Sequence, residues 1–376
     1  MSGQHSPLGG SNSHRWLHCT PSARLEEKIA YTAGEAAKEG TAAHALLEWK
    51  LKRRLGLPAK DNRPASQYDC AEMDGHTEDC ADYIAEQVAT ARTTLEYPTI
   101  CIEQKVSFTR WVPMGFGTAD FVMVTDGVLY ILDFKYGAGI VVDANENTQL
   151  MLYALGTLTM FDGIYDIERV VMTIYQPRRE NISVYEMTAD ELLRWAEDTL
   201  KPIAALAYAG KGDFVPGEHC RFCRAAMTCR VRADEQLSLA KDEFRFPPQL
   251  SDDEISKILP RLDGLIDWAS DMKEYALRSA VGGKAWPGYK LVEGRSNRRY
   301  ADDAKVTNAA IAAGYSDIYK QTLLPVTDME RLLGKKRFSD ILGTLIIKPP
   351  GKPSLVPDTD KRPTLDRTSA ADDFAD

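Results

Sequence analysis

The stretch Gly117-Thr118-Ala119-Asp120, followed across Asp126-Gly127 by Asp133-Phe134-Lys135, decides how this chain folds. Gly117 to Val124 and Val128 to Phe134 are rich in β-branched and aromatic residues, the composition of strands. Asp-Gly between two such runs signals a tight hairpin, because the turn needs backbone that Asp and Gly tolerate. The hairpin sets the strand carrying Asp120 beside the strand carrying Asp133. Asp133 and Lys135 are two apart on a strand and share a face, while Phe134 points the other way, into the core. A short antiparallel offset brings the two carboxylates together. Like charges that close repel and shift each other's pKa unless a cation joins them. The small residues before Asp120 let the backbone pass close to a ligand. Taken singly, Asp-x-Lys on a strand is commonly a surface ion pair worth little.

Working outward, Ile100 to Phe108 reads as another strand. Glu103 alternates with apolar neighbours there, so it is expected to face opposite to Ile102. Upstream, helical patterning runs from about Ser22 to Leu55, with Gly40-Thr41 reading as a break and N-cap. His44 shares its helical side with Leu47, Leu51 and Leu55 and is expected to point inward. Residues 57–77 read as a polar loop and 78–95 as a second helix. Downstream, a helix is expected from about Asn145 to Met160, placing Gln149 and Tyr153 on one face. Strands near 168–175 and 182–187 and a helix over 189–208 follow. This order is that of an α/β (α+β) fold. A long helix over 251–280, a short strand near Tyr289–Val292 and helices around 302–313 and 327–343 complete the pattern. The expected organisation is a domain over 1–240, a mainly helical region over 241–348 and a disordered tail over 349–376, which has too little apolar content to fold alone.

The chain has 376 residues, 44% of them hydrophobic and 27% charged, with a net charge of −9. Those values fit a soluble globular protein. No apolar run approaches the ~20 residues of a membrane span, and no apolar signal core opens the chain. A cytoplasmic location is the expectation. The acidic balance argues against general coating of nucleic acid but leaves room for a local basic groove.

Seven cysteines in a reducing compartment argue against a disulfide framework. Cys220-x-x-Cys223 with Cys229 shortly beyond is a close-ligand pattern, and three soft thiolates suit zinc or an iron–sulfur cluster. A fourth ligand is missing locally, and His219 sits awkwardly close to Cys220. Cys70, Cys80 and Cys101 lack such context. Arg221, Arg224, Arg230 and Arg232 surround the trio, while Arg178-Arg179 and Arg295, Arg298 and Arg299 follow strands. These arginines suit phosphate contacts. Trp16 and Tyr136 are candidates for stacking on bases.

Four motifs in order resemble those of the PD-(D/E)XK nuclease superfamily, and within it the RecB-like exonuclease group. Gly40-Thr41-Ala42-Ala43-His44 is similar to the group's Gly-Thr-x-x-His motif. Gly117-Thr118-Ala119-Asp120 is similar to its Gly-x-x-Asp, Asp133-Phe134-Lys135 to its (Asp/Glu)-x-Lys, and Gln149-x-x-x-Tyr153 to its Gln-x-x-x-Tyr helix. The resemblance implies a core with a central mixed sheet flanked by helices, and a nuclease, in particular an exonuclease, dependent on Mg²⁺ or Mn²⁺. Asp120, Asp133 and the Phe134 carbonyl would be metal ligands, and His44 would complete or tune the metal site. Lys135 would orient the attacking water, and Gln149 and Tyr153 would position active-site groups. Glu103 would be the acidic residue of the preceding strand. The group also implies that Cys19, Cys220, Cys223 and Cys229 hold a 4Fe-4S cluster, with zinc the less favoured occupant. Ile346-Ile347-Lys348-Pro349-Pro350-Gly351-Lys352-Pro353 and Asp360-Lys361-Arg362-Pro363 resemble the ending of a phage- and prophage-borne family of the group. That resemblance implies DNA as substrate and a role in phage recombination, repair or replication, with a single-strand annealing protein as a partner. The rival expectation is a catalytically inactive nucleic-acid-binding or assembly protein that retains the fold.

Overall fold

Two short helices, α1 (Ser13–His18) and α2 (Ser22–Glu27), lead into α3 (Glu35–Arg54) and α4 (Ala71–Ala91). The computed structural model describes residues 6–29, 34–93, 97–242, 251–290, 292, 303–312 and 326–346. The tail from 349 and Arg295, Arg298 and Arg299 lie outside the described residues. α3 runs unbroken through Gly40-Thr41, against the expected break, with Gly34 at its N-cap. Thr41 Oγ1 donates back to the Ala37 carbonyl at 2.9 Å instead of capping a new helix. One internal glycine costs a helix only ~1 kcal/mol, and burial of Ala43, Leu46, Leu47 and Leu51 offsets it. α4 begins earlier than expected, at Ala71, because the Cys70 thiol accepts the Met73 N–H and acts as its N-cap.

The sheet then forms from β1 (Thr99–Ser107), β2 (Phe116–Val124) and β3 (Val128–Phe134), followed by α5 (Thr148–Met160), β4 (Arg169–Gln176) and β5 (Asn181–Thr188). Its order is β1-β2-β3-β4-β5. All pairs are antiparallel except β3 with β4, which α5 connects in parallel. The expected mixed sheet flanked by helices is therefore the observed fold. Gly127, at φ 74°, makes the tight turn between β2 and β3.

After β5, the helix expected over 189–208 is interrupted. α6 (Ala189–Trp195) passes through a π-helical turn, Ala196–Leu200, into α7 (Lys201–Ala209). Pro202 has no N–H to return to the Asp198 carbonyl, so regular α geometry fails there. Next come α8 (Arg230–Asp242) and α9 (Asp252–Val281). The chain divides into two compact units, Met1–Ser279 and Ala280–Asp376. In the second unit the structure describes α10 (Asp303–Ala312), α11 (Val326–Leu333) and α12 (Lys335–Leu342). Gly334, at φ 76°, splits the single helix expected over 327–343. Tyr289, Lys290 and Val292 belong to no strand. No helix among the described residues is long and apolar enough to cross a membrane.

Each face of the sheet is covered. On one, Phe121, Met123, Leu132 and Phe134 pack with Leu47, Leu51, Ile84 and Val88 of α3 and α4. On the other, Val122, Val124, Leu129 and Ile131 pack with Leu150, Leu152 and Leu155 of α5 and with Leu192 and Leu200. Burying each such side chain stabilises the fold by about 1.5–3 kcal/mol. These two cores fix the ends of β2 and β3 between α3 and α5.

Candidate functional site

Asp120 and Asp133 face each other across the β2–β3 hairpin. The paired register includes Phe121 with Leu132, and one step further it sets Asp120 opposite Asp133. The ladder is open at that step. Asp120 Oδ2 instead accepts the backbone N–H of Phe134 at 2.7 Å. A strand residue's N–H and C=O lie on the same edge, so the Phe134 carbonyl also faces the Asp120 side.

The neighbouring β1–β2 ladder departs from regular alternation at the same level. Ile102 pairs with Phe121 and Gln104 with Ala119, while Glu103 between them has a left-handed φ of 51°. A non-glycine residue in that region is uncommon and marks local strain, which concentrates at functional sites. Alternation predicts Glu103 opposite to Ile102; the backbone twist instead puts both against the same recess, with Asp120, Leu47 and Leu51. Ala119 and Phe121 are two apart yet belong to opposite cores. The kink thus turns Glu103 and Asp120 together toward α3. There His44 Nδ1 lies 3.3 Å from Asp120 Oδ1 and 3.7 Å from Glu103 Oε1. One ligand atom from each of the three falls within 4.8 Å of the others, a spacing that suits a metal ion. His44 reaches this edge half-buried, its ring edge-on to Phe134 at 5.5 Å.

The second half of the site faces α5. Lys135 Nζ lies 2.8 Å from Asp133 Oδ2 and donates to Gln149 Oε1 at 2.9 Å. Gln149 Nε2 donates to Asp133 Oδ1 at 2.7 Å and to the Tyr153 hydroxyl at 3.1 Å. One amide therefore fixes both the acid and the amine. Asp133 is 2% exposed, and its Oδ2, though ion-paired with Lys135, lacks a well-aligned hydrogen bond. That oxygen keeps lone pairs for a cation. Tyr153 fills the floor, with its ring edge where a Cβ on Gly10 or on Gly117 would fall, 2.5 Å away in each case. Gly117 was expected to admit a ligand; its role is to seat Tyr153.

The charges act on one another. Burial pulls the His44 imidazolium down, but Asp120, Glu103 and Asp133 more than offset this and raise its pKa to about 10 in the metal-free protein. Burial pushes the Asp133 carboxyl up, Lys135 pulls it down, and Asp120 pushes it up again, with a net rise. Burial, then the Asp133 charge, raise the Tyr153 phenol. A divalent cation would relieve this conflict by joining the carboxylates and displacing the His44 proton. The donor set of two acids, a third acid on β1, an imidazole and a carbonyl fits a hard divalent ion.

A second constellation lies elsewhere in the first unit. Cys19, Cys220, Cys223 and Cys229 line one recess, together with Arg15, Ser22, His219 and Ala226. Cys19 caps the C-terminus of α1, in the turn before α2, while a short 3₁₀ helix, Glu218–Phe222, and the loop after it carry the others. Burial raises the Cys19 thiol, but hydrogen bonds from His219 and from backbone at Val215 and Ser22 lower it further, so the net shift is down. Burial pushes the Cys223 thiol up to about 11. The four thiols fit a group that binds soft ligands. His219, the awkward neighbour in sequence, donates from Nε2 to the Val215 carbonyl at 2.8 Å and faces Cys19.

Several expected nucleic-acid contacts are not available on the surface. Trp16 is fully buried with Nε1 donating to the Gly9 carbonyl, and Tyr136 is 2% exposed beneath the Arg178 guanidinium. Apolar packing claims both rings, so neither is a stacking platform. Arg178 forks onto Glu39, Arg224 pairs with Glu26, and Arg232 pairs with Asp271. Arg179, Arg221 and Arg230 are exposed. The buried Arg15–Glu26 pair was not foreseen, because in two such short helices no periodicity marks a charged residue as internal.

A family described as "Protein of unknown function (DUF2800)" matches residues 5–363 of the chain. A solved structure titled "Crystal structure of SSO0001" aligns with 14% identity over 56% of this chain and 94% of that one, at a TM-score of 0.20. A score that low carries no argument about the fold or the site.

Proposed function

The chain belongs to the DUF2800 family, and we propose that it is a Mg²⁺- or Mn²⁺-dependent DNA nuclease, in particular an exonuclease, of the PD-(D/E)XK type. The observation that carries this reading is the convergence of His44, Glu103, Asp120, Asp133 and Lys135 at one end of β2 and β3, with Gln149 bonded to both Asp133 and Lys135. Asp120, Asp133, the Phe134 carbonyl, His44 and Glu103 would hold the metal. When bound, a divalent cation would supply Lewis-acid stabilisation of a phosphoryl group and lower the pKa of water.

The chain's own groups supply the remainder. Lys135, held by Asp133 and Gln149, presents an ammonium donor that orients the attacking water and neutralises charge developing on the phosphate. Its neighbours fix its direction, so little reorganisation is needed during reaction. Gln149 is a positioning residue, since its amide touches the acid and the amine but not the reacting atoms. Tyr153 holds Gln149 from beneath and excludes water from that side. In-line attack at phosphorus would leave a 3′-hydroxyl and a 5′-phosphate, the outcome that the resemblance to the PD-(D/E)XK superfamily implies.

The four cysteines are proposed to hold a 4Fe-4S cluster with a structural role, joining the α1–α2 segment to the Cys220–Cys229 loop. Cys19 is the member that the common recess adds to the local trio. Of the described arginines considered as phosphate contacts, Arg179, Arg221 and Arg230 are exposed and stay candidates for that role. A phage single-strand annealing protein is the partner this reading suggests.

Digestion of end-labelled linear single- and double-stranded DNA with Mg²⁺ or Mn²⁺ tests the activity. The expected outcome is metal-dependent shortening from ends, abolished by chelator. Failure on every DNA and RNA form with either metal would move the nucleic-acid-binding reading ahead. Anaerobically purified protein is expected to be brown; colourless protein with stoichiometric zinc would overturn the iron assignment.

A further inference from the structure

Cys19 and Cys223 are distant in sequence, yet a continuous run of polar contacts joins their segments. Ser22 Oγ donates to the Cys19 carbonyl at 2.5 Å and accepts from Arg15 Nη1 at 2.6 Å. Arg15 Nη2 pairs with Glu26 Oε2 at 2.8 Å. Glu26 Oε1 accepts the backbone N–H of Arg224, the residue after Cys223, at 2.6 Å. The Arg224 guanidinium adds a 3.4 Å contact to Glu26 Oε2 and a 3.0 Å bond to the Ile29 carbonyl. The Arg15 and Glu26 side chains are 3% and 5% exposed. Arg15 also lines the recess that the four cysteines share.

Burying an ion pair this deeply carries a large desolvation penalty for each charge, and apolar residues of similar volume are often no worse for stability. The position of this pair gives it a second use. Thiols must ionise to bind a metal or cluster, and a fixed cation in the wall lowers the cost of gathering several negative sulfurs. Of the two carboxylate oxygens, Oε1 meets the Arg224 backbone, while Oε2 pairs with Arg15 and also lies near the Arg224 guanidinium.

Resting on the reading of the four thiols as a cofactor site, we propose that Arg15, Glu26 and Arg224 form a clasp that assembles this site before any cofactor arrives. Glu26 is the positioning residue. One oxygen holds Arg15 from the segment bearing Cys19, and the other holds the backbone beside Cys223. Arg15 adds a permanent positive charge next to the sulfurs. Apoprotein therefore keeps Cys19 within reach of the C-terminal thiols, and cofactor insertion needs little reorganisation.

The test uses the full-length chain. Iron, acid-labile sulfide and zinc are first measured in anaerobically purified wild type, and absence of all three would sink the cofactor reading by itself. Chelated, reduced protein is then treated with dibromobimane, which bridges neighbouring thiols, and linked peptides are mapped by mass spectrometry. Wild type should link Cys19 to Cys220, Cys223 or Cys229. Glu26→Gln keeps the shape and removes the charge; it should lower that yield about five-fold or more, the effect of losing a contact of ordinary strength. Its iron content as purified should fall in parallel. An unchanged cross-link yield in Glu26→Gln would overturn the clasp, whether or not wild type holds iron. Should far-UV circular dichroism show that Glu26→Gln fails to fold, Arg15→Gln carries the same comparison, and an unchanged yield there overturns the clasp equally.

Discussion

Replacing Gly117 by Ala should unseat Tyr153 and, through it, loosen the whole α5 side of the site. A Cβ at Gly117 would lie 2.5 Å from the Tyr153 ring, where carbon atoms normally keep ~3.5–4.0 Å apart, so the ring must retreat by about 1 Å. Gly10 stands where a Cβ would also meet the ring at 2.5 Å, so backbone closes in on the ring there too. Tyr153 is 4% exposed and packed in the core. Overpacking of this kind costs roughly 1–3 kcal/mol. A cost of ~2 kcal/mol lowers the melting temperature by about 4–8 °C in a domain of this size. The assay is a double-mutant cycle by thermal or urea unfolding with Tyr153→Ala. In the Tyr153→Ala background the added methyl meets no ring, and its cost should fall below ~0.5 kcal/mol. Displacing the Tyr153 hydroxyl also frees the Gln149 amide that it meets at 3.1 Å. A misplacement of about 1 Å in that support should slow cleavage by ~10²-fold. An unshifted melting temperature in Gly117→Ala, or an equal cost in both backgrounds, would refute the reasoning.

Gln149→Ala removes the bonds to Lys135 and Asp133 together. It should lower the cleavage rate by ~10²-fold, with DNA binding by gel shift unchanged; a parallel loss of binding would count against a positioning role. In metal-free protein His44 has a folded pKa of about 10, above an unfolded value of ~6.5. Its stabilising contribution is then complete below pH ~6.5 and disappears as pH rises through the folded value. Urea midpoints of chelated wild type should drop across that window, and His44→Gln should flatten the drop. Mn²⁺ affinity should move the opposite way, rising with pH, because the cation competes with the His44 proton. Cys19→Ser should reduce iron content and thermal stability while leaving Mn²⁺ binding at Asp120 and Asp133 intact, as measured by metal titration.

The hairpin at the heart of the site was legible in the sequence because turn chemistry sets register. An Asp126-Gly127 turn of two residues pairs Phe121 with Leu132, which leaves Asp120 and Asp133 as the next opposed positions. The shared face of Asp133 and Lys135, and that of Gln149 and Tyr153, followed equally from the periods of strand and helix. Glu103 escaped that logic. Alternation assumes a regular strand, and the left-handed φ at Glu103 reverses its direction. Gly40-Thr41 was misread because buried leucines farther along α3 outweigh a local break. Trp16 and Tyr136 showed their aromatic character but not their burial, which depends on segments remote in the chain. Cys19 shares a recess with the distant trio, a grouping that the family resemblance implied and that spacing within either segment could not show.

The most direct test of the central claim is the initial rate at which wild type and Asp133→Ala degrade end-labelled linear DNA at saturating Mn²⁺. Asp133 is the buried acid that Lys135 and Gln149 both hold. The wild-type rate should depend on metal, and the variant should show no cleavage while keeping its far-UV spectrum and its iron. Equal rates for the two proteins, or no cleavage by wild type on any linear DNA, would contradict the account.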